Sequence, residues 1–299
     1  RVVHGENDGL PGLVLDRYAE TAVLKLDTPA WVPHLVDVAA ALTDLLAPAR
    51  TVLRLSRSVQ QHEDALYGLK DGVVIDGAAL RGDVLFHENG LAFEVDVRHG
   101  QKTGFFLDQR DNRARVETLA AGKEVLNVFA YTGGFSLYAA RGGARRVVSL
   151  DISQPALAAA LRNFRLNRAH PAVAAAEHEL LLGDAFATLQ QLRDSRRRFD
   201  LVVLDPPSFA RKRDEVDGAL AAYERLARLG LGVLRPGGTL VAASCSSRVP
   251  ADDFFARLHQ AARQLKRPLH EIERTFQPVD HPVRFAQGAY LKCLFATAP

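Results

Sequence analysis

The chain has 299 residues, of which 47% are hydrophobic and 24% are charged, and its formal net charge at pH 7 is +3. These values are typical of a folded globular protein with room for two domains, and no apolar run reaches the roughly 20 residues of a membrane helix. Two cysteines exclude a disulfide framework and a cysteine-rich zinc site, so we expect no metal. The N-terminal RVVHGENDGL lacks the apolar core of a secretion signal, which favours the cytoplasm and no membrane partner.

Residues 1–82 have the pattern of a small α+β domain that supports the rest of the chain. Two candidate strands at 13–18 and 22–26 are joined by a short turn, which predicts a hairpin. A helix follows, with Thr28 as its N-cap and apolar residues at helical spacing from residue 31 to residue 46. We find no catalytic pattern in this domain.

Residues 83–299 form the second predicted domain, in which strands and helices alternate. It opens with a hairpin and a polar segment, HGQKTGFFLDQR, which together span 83–110; the segment has side chains suited to holding an anion or a carboxylate. From residue 124 the order is strand, glycine turn, helix and strand, repeated through the strand 199–204 to final strands near 269–274 and 290–295. This alternation predicts a doubly wound α/β fold.

Acidic residues end three successive predicted strands, at Asp151, Asp184 and Asp205. Ligands of such folds bind beyond the carboxyl ends of the strands. Gly133-Gly134 lets a ligand approach the backbone, Asp151 is placed to accept hydrogen bonds from ribose hydroxyls, and Asp184 from an adenine amino group. Each acid alone is more often a helix cap, but together they favour a nucleoside-containing cofactor. The spacing between Gly133 and Asp151 fits either a dinucleotide or S-adenosylmethionine. The turn lacks the G-x-G-x-x-G motif that binds the pyrophosphate of a dinucleotide.

Two neighbouring strand ends carry groups suited to catalysis. The apolar strand 199–204 ends in Asp205-Pro206-Pro207, which places a carboxylate on a stiff loop, and the next strand ends in Cys245 among serines. A cysteine at a strand end is, by itself, more often a small buried hydrophobic residue than a nucleophile. We interpret Cys293, which lies in an apolar run, as such a core residue. Cys245 instead faces a predicted crevice, where a positive field would favour its thiolate.

Six segments together resemble a known family: GENDGLPGLVLDRY, GQKTGFFLDQRDNRAR, VLNVFAYTGGFSLYAARGGA, DPPSFAR, SCSS and AYLKCLFA. They look like the bacterial large-subunit rRNA 5-methylcytosine methyltransferases typified by rRNA methyltransferase I, over essentially the whole chain. The resemblance implies a class I, seven-stranded, Rossmann-like methyltransferase fold, S-adenosylmethionine as cofactor and large-subunit rRNA as partner; a homodimer is a further option. Family members usually carry an N-terminal PUA RNA-binding domain, and this chain begins where their central domain should, so we expect that module to be absent.

The resemblance also implies roles for individual residues. It suggests Cys245 as the nucleophile, whereas the family's histidines after that cysteine are replaced here by Ser247 and Arg248, so no histidine role is transferred. Carried over by position, the cofactor contacts are Lys102, Thr103, Phe105, Arg110, Asn127, Phe129, Tyr131, Thr132 and Gly133, and Asp151, Asp184 and Asp205 continue the same rim.

The residues fit the chemistry of 5-methylcytosine formation. Carbon 5 of cytosine is too weak a nucleophile to take a methyl group unaided, so a Cys245 thiolate would first add to carbon 6. Asp205 would hold the ring nitrogen or amino edge of the base. Phe209 or Tyr131 would offer an aromatic face to a base that has left its stack. No residue is identified as the general base, and the substrate contacts we assign are Pro206, Pro207, Ser208 and Phe209.

Two other functions remain open at this stage. One is a methyltransferase that acts on a ring or amino nitrogen of guanine or adenine, since enzymes with an acidic-Pro-Pro-aromatic motif methylate exocyclic amines without a cysteine. In this chain, however, Ser208 separates Pro207 from Phe209. A non-catalytic RNA-binding relic of the fold is the other alternative. Basic clusters at 196–198, 211–213 and 263–267 suit a polyanionic partner or, equally, solvated loops.

Overall fold

The computed structural model describes residues 1–210 and 212–299, so Arg211 of the basic cluster 211–213 lies outside the described residues. The chain divides into two compact units, Arg1–Asp108 with Pro278–Phe285 and Gln109–Gln277 with Ala286–Pro299. The hairpin and polar segment at 83–108, assigned from the sequence to the second domain, pack within the first unit. The functional boundary between residues 82 and 83 stays a prediction. No helix in the described part of the chain is long and apolar enough to cross a membrane.

The first unit contains a five-stranded sheet with the order β1-β2-β3-β4-β5. The predicted hairpin is present, because β2 and β3 pair in antiparallel fashion around a turn in which Ala19 has a φ of 52°. The helix predicted from Thr28 begins as a 3-10 turn at Pro29–His34 and continues as α1. β1 and β5 were not predicted, since strands of two and four residues carry little pattern. The elements are β1 (Val3–His4), β2 (Leu13–Tyr18), β3 (Thr21–Leu26), α1 (Leu35–Leu46), β4 (Arg50–Leu55), α2 (Arg57–Gln60) and β5 (Val74–Gly77), followed by a separate hairpin of β6 (Val84–Glu88) and β7 (Leu91–Val95).

The second unit contains a seven-stranded sheet with the order β10-β9-β8-β11-β12-β14-β13, in which only the last two strands run antiparallel to their neighbours. This order confirms the predicted doubly wound fold. The strands are β8 (Glu124–Val128), β9 (Arg146–Asp151), β10 (Glu177–Leu182), β11 (Phe199–Leu204), β12 (Leu234–Ser244), β13 (His270–Phe276) and β14 (Lys292–Ala298). The helices are α3 (Arg110–Leu119), α4 (Gly134–Arg141), α5 (Gln154–Leu166), α6 (Pro171–Ala175), α7 (Ala185–Asp194), α8 (Val216–Val233) and α9 (Ala251–Gln264).

The centre of this sheet is β11, which pairs in parallel with β8 on one side and β12 on the other. Leu201, Val202, Val203 and Leu204 are at most 1% exposed, so the strand is buried on both faces, as its unbroken apolar run predicts. Residues 235–238 lie within β12, where the pairing with β11 shifts from Phe199–Leu234 to Leu201–Thr239. The register is therefore irregular at the start of β12, and the strand continues beyond the shift.

Two of the predicted basic clusters contribute arginines to internal contacts. The Arg197 guanidinium donates to both carboxylate oxygens of Glu179, at 2.7 and 2.5 Å. Arg267 is partly buried and contacts the C-terminal ends of α8 and β14 and the start of β12. Its Nη1 and Nη2 atoms donate to the carbonyl oxygens of Leu231, Leu234, Arg235 and Ala298 at 2.6 to 3.1 Å. At these two positions the positive charge stabilises the fold.

A chain of polar side chains crosses the interior from β8 to β10. Asn127 donates from Nδ2 to the Ser136 hydroxyl at 2.9 Å, and that hydroxyl lies 2.7 Å from the Ser149 hydroxyl. Ser149 in turn lies 2.9 Å from Nε2 of His178, whose ring stacks on Phe164 with the centroids 3.6 Å apart. Burial lowers the pKa of His178 to about 4, so the ring is neutral at physiological pH.

This depressed pKa predicts a loss of stability in mild acid. Below its ordinary pKa of 6.5 the unfolded chain binds a proton at His178 that the folded chain takes up only near pH 4. We expect the free energy of unfolding to fall by about 2 kcal/mol between pH 7 and pH 5 on account of this one side chain. Urea unfolding of the wild type and of His178→Gln at both pH values measures it.

The quantity to compare between variants is the change in the free energy of unfolding from pH 7 to pH 5. The absolute free energy is not compared, because His178→Gln also changes packing. His170→Gln, at an exposed position, is the matched control and should keep the wild-type dependence. His281, whose pKa is lowered to about 4 mainly by burial, contributes a similar loss in every variant. An equal pH dependence in His178→Gln and the wild type would contradict the prediction.

Candidate active site

The predicted site residues of the second unit lie at one edge of its sheet. The carboxyl ends of β9, β8, β11 and β12 are consecutive in the sheet order and lead into Asp151, the loop 129–133, Asp205 and Cys245. Register fixes this arrangement, since Leu204 of β11 lies opposite both Val128 of β8 and Ala242 of β12. The strand ends that the sequence predicted to be neighbours are therefore adjacent.

The loop after β8 has an unusual backbone. Phe129 and Tyr131 have positive φ angles of 62° and 48°, a conformation that side chains other than glycine rarely adopt. Gly133 has a φ of 80°, and a Cβ atom there would lie 2.8 Å from the Cβ of Ala160 on α5. Backbone strain of this kind persists where the surrounding structure enforces it and clusters at ligand sites.

Asp151 and Asp184 have different local roles. The Oδ2 of Asp151 accepts from the backbone N–H of Tyr131 at 2.8 Å, and its Oδ1 accepts from that of Ser153 at 2.9 Å. The half-buried carboxylate therefore has a fixed orientation at the rim, and each oxygen has a second lone pair for a ribose hydroxyl. Asp184 is exposed and caps α7 by accepting from the Ala187 N–H at 2.9 Å. Its contact with adenine stays a prediction.

Two further predicted cofactor residues have buried oxygen atoms with unused capacity. Asn127 is 1% exposed and Thr132 is 8% exposed. Asn127 Oδ1 and Thr132 Oγ1 have no hydrogen-bond partner among the described residues. Such atoms cost free energy unless a partner reaches them, so they suit a polar ligand at this rim. Arg110, the first residue of α3, is partly exposed and its Nε lies 3.2 Å from Oδ1 of Asp111.

The first unit contains the remaining three predicted cofactor residues. Thr103 is fully buried and donates to Oδ2 of Asp16 at 2.6 Å. Phe105 is 3% exposed and packs in the unit's aromatic core. Lys102, which has a φ of 53°, forms an ion pair with Asp108 at 2.7 Å. Their side chains thus have structural partners in this unit, and their contacts with a cofactor stay predictions.

Asp205 is held by a chain of side chains that the sequence did not reveal as a unit. Gln109 Nε2 donates to Oδ1 of Asp205 at 2.9 Å, and Gln109 Oε1 accepts from Asn112 Nδ2 at 2.6 Å. Asn112 Oδ1 then accepts from the hydroxyl of Thr275, on β13, at 2.5 Å. Because the amide oxygen of Gln109 accepts from Asn112, and that of Asn112 accepts from Thr275, the amide N–H of Gln109 is the group directed at Asp205. The sequence signal for this arrangement is the polar segment HGQKTGFFLDQR, which includes Gln109 and which we predict to be suited to holding a carboxylate.

Cys245 lies against the loop that follows β11. Its Sγ is 4.0 Å from the carbonyl oxygen of Pro206, and the side chain is half-buried. The Ser246 and Ser208 hydroxyls both donate to the carbonyl oxygen of Ala210, at 3.1 and 2.9 Å. The bond from Ser246 joins the loop that follows β12 to the loop that follows β11. It therefore holds the Cys245 thiol close to the loop that carries Asp205.

The predicted substrate residues differ in exposure. Pro206 is buried, Pro207 is exposed and Ser208 is half-buried. The ring of Phe209 packs towards the core, with its centroid 4.9 Å from that of Tyr223 and 6.3 Å from that of Phe186. Tyr131 is half-buried. A contact between a base and any of these residues stays a prediction.

The chain matches known proteins over most of its length. A family model described as S-adenosylmethionine-dependent methyltransferase matches residues 71–296. A protein of Deinococcus radiodurans named ribosomal RNA large subunit methyltransferase is 49% identical over 295 residues, which are 99% of this chain and 71% of the relative. One of Aliivibrio fischeri named ribosomal RNA large subunit methyltransferase I is 38% identical over 299 residues, which are 98% of this chain and 72% of the relative.

Solved structures give the same fold. A putative methyltransferase, SMU.776, complexed with SAH superposes with a TM-score of 0.83 at 25% identity, over 99% of this chain and 74% of that one. Trm5b from Pyrococcus abyssi superposes with a TM-score of 0.67 at 15% identity, over 95% of this chain and 74% of that one, and so supports the fold alone. The buried oxygens of Asn127 and Thr132 and the oriented carboxylate of Asp151 fit the polar groups of an adenosine-containing cofactor. The chain therefore belongs to the S-adenosylmethionine-dependent methyltransferase family and is a homologue of the ribosomal RNA large subunit methyltransferases, with S-adenosylmethionine as its cofactor.

Proposed function

We propose that this methyltransferase forms 5-methylcytosine in large-subunit ribosomal RNA, with Cys245 as the nucleophile. The names of the relatives support the RNA class. One observation carries the choice of atom: the Cys245 thiol lies 4.0 Å from the carbonyl of Pro206, directly beside Asp205 at the adjacent strand end. Amino-group methylation needs no thiol at this position, whereas methylation of carbon 5 does.

The proposed role of Cys245 is to make carbon 5 nucleophilic. Its thiolate forms a bond to carbon 6 of the ring, and the electrons of the 5,6 double bond become available at carbon 5. S-adenosylmethionine, when bound, supplies an electrophilic methyl group on a sulfonium. After carbon 5 has accepted the methyl group, loss of its proton restores the double bond and expels the Cys245 thiolate unchanged. We assign no residue to that proton transfer.

The proposed role of Asp205 is to orient the base. Because Gln109 donates to its Oδ1 at 2.9 Å, the plane of the carboxyl group is fixed and its second oxygen has a defined direction. That oxygen is suited to hold the amino edge of cytosine while charge develops in the ring. Orientation of this kind contributes to catalysis only if the carboxyl group of Asp205 does not rotate. The hydrogen bonds that run through Gln109 and Asn112 restrict that rotation.

Amino-group methylation is the second candidate, and one contact weighs against it. In an acidic-Pro-Pro-aromatic motif the aromatic ring would stack on the target base. Here the Phe209 ring packs on Tyr223, with the centroids 4.9 Å apart, and contributes to the core. The Cys245 thiol thus remains the group that favours methylation of carbon 5 over methylation of an amino group.

Replacement of the proposed nucleophile tests the reaction directly. We expect Cys245→Ala to lower the rate of 5-methylcytidine formation by about a thousandfold or more, because the ring is then not activated. Binding of S-adenosylmethionine, measured by calorimetry, should change little. The assay is nucleoside mass spectrometry of large-subunit rRNA from cells that lack the protein, incubated with enzyme and cofactor.

The matched control is Cys293→Ala, since Cys293 is the second thiol and is fully buried in β14. It should retain activity wherever it remains folded. Methylguanosine or N6-methyladenosine as the only product would show that the proposed target atom is wrong. Tight cofactor binding with no product on any RNA would instead favour a binding protein.

The chain of side chains behind Asp205 gives a second prediction. Gln109→Leu removes the donor to the carboxyl group, and a hydrogen bond to a charged group is worth about 1.5–3 kcal/mol, so we expect kcat to fall by roughly 10- to 100-fold. KM for S-adenosylmethionine should change less than kcat, because most of the cofactor contacts that we predict lie on other residues of the rim. Steady-state kinetics separate the two parameters.

Gln190→Leu, at a partly exposed position of α7 where the glutamine donates to Asp194, is the control for the loss of a glutamine that donates to a carboxylate. Thr275→Val, at the far end of the chain of side chains, should give a smaller fall in kcat of the same kind. A fall in kcat that merely follows a lowered thermal midpoint would point to loss of folding and contradict the orienting role.

A further inference from the structure

A lysine lies in the interior next to the proposed nucleophile. Lys292 is the first residue of β14 and is 2% exposed, within an otherwise apolar run in which Leu291, Cys293 and Leu294 are also buried. It pairs across the sheet with Ser244, the residue that immediately precedes Cys245. Burying an ammonium group is costly, so its retention here needs an explanation.

Carbonyl oxygens, and no carboxylate within the described part of the chain, surround the ammonium group. Lys292 Nζ donates to the carbonyl oxygens of Ser246, of Val249 at 2.7 Å and of Tyr290 at 3.3 Å. Two of these acceptors belong to the loop that directly follows Cys245. The side chain therefore holds this loop against β14, while its positive charge is solvated by dipoles but not neutralised.

Within the described part of the chain, the groups around Cys245 differ in charge, and Lys292 is a buried cation among them. Burial and nearby negative charge raise the pKa of Tyr223 to about 12, and burial raises the pKa of Cys293 well above its ordinary value, so both are neutral near pH 7. When Asp205 is ionised, its negative charge repels a thiolate and so disfavours the thiolate form of Cys245. Arg248 is exposed, so water screens its charge. Glu273, on β13, is a further charged group among the described residues, and its charge acts on Cys293.

The interaction between Lys292 and Cys245 is mutual. Burial lowers the pKa of Lys292 to about 8, and the charge of Cys245 opposes this shift. By the same electrostatic interaction the ammonium group favours the thiolate form of the cysteine. Both the loop contacts and the charge thus act on the same sulfur atom.

We propose that Lys292 is a positioning residue for the nucleophile: it holds the loop 246–249 through its carbonyls and stabilises the Cys245 thiolate with its charge. This inference rests on the proposed function, because it gives the thiolate a role in the reaction. The lysine does not contact the substrate in this proposal, and its effect passes through Cys245.

The test measures the thiol itself, without RNA. Wild type, Lys292→Gln and Lys292→Arg are alkylated with iodoacetamide at pH 6 to 10, and modification of Cys245 is followed by peptide mass spectrometry. Lys292→Gln retains hydrogen-bond donors but loses the charge, so we expect its Cys245 to react about tenfold more slowly at pH 7, with the profile shifted to higher pH. Lys292→Arg keeps the charge and should lie close to the wild type.

Two controls come from the same chain. Lys123→Gln removes a half-buried lysine at the opposite end of the sheet and should leave the Cys245 profile unchanged. Cys293, which is fully buried, reports on folding within each sample, because it reacts only when the sheet opens. A Lys292→Gln profile identical to that of the wild type, with Cys293 protected, would overturn the proposal.

If the Gln variant exposes Cys293, Lys292→Met is the second neutral variant and has the same expected result. If both variants expose Cys293, the wild-type profile decides. A midpoint below the ordinary thiol value of about 8.5 supports the proposal, and a midpoint at or above it overturns the proposal.

The outcome is separable from that of the proposed function. If Cys245→Ala methylates RNA normally, the nucleophile is wrong, yet the alkylation profiles still report whether Lys292 acts on the thiol. If Cys245 is essential but the profiles coincide, the function stands and the role of Lys292 falls.

Discussion

The parallel pairing of β11 with both β8 and β12 is the constraint on which the site depends. A strand that is buried on both faces keeps its apolar side chains from water only as an inner strand, and from Leu201 to Leu204 its pairing with both neighbours has one continuous register. In that register Leu204 lies opposite Val128 and Ala242, and the three strands end at the same edge. Asp205, the strained loop at 129–133 and Cys245 are therefore brought together by hydrophobic burial, before any of their own contacts form.

Buried polar groups then give this edge its geometry. Gln109, Asn112 and Thr275 orient Asp205, while Asn127 is held from below by Ser136. Partly satisfied networks in an interior are costly, whereas satisfied ones hold their members rigidly. We infer that the cost of placing amides and hydroxyls in this core is offset by a site whose side chains need little reorganisation when substrates bind.

Some positive charges stabilise the fold from buried or partly buried positions. Arg267 and Lys292 both donate to backbone carbonyls at places where strands and loops meet, and Arg197 is committed to Glu179. The net charge of +3 therefore overstates the positive surface available to a polyanion. In the proposed function, contacts with RNA phosphates come from other basic residues, which the fold distributes over several elements.

Local pattern determined the fold and the identity of the chemical groups. Alternating apolar strands and helices predicted the doubly wound sheet, the acids and the cysteine at strand ends predicted the edge at which ligands bind, and long motifs indicated the family. These features are readable because strand burial and the chemistry of carboxylates and thiols depend on a few adjacent residues. Tertiary structure alone decided how those groups are held. Asn112 and Thr275 are 163 positions apart, Lys292 and Ser246 are 46 apart, and residues 278–285 return to pack within the first unit. Contacts of this kind leave no local periodicity, because they are set by which strands pair and not by which residues are neighbours in the chain.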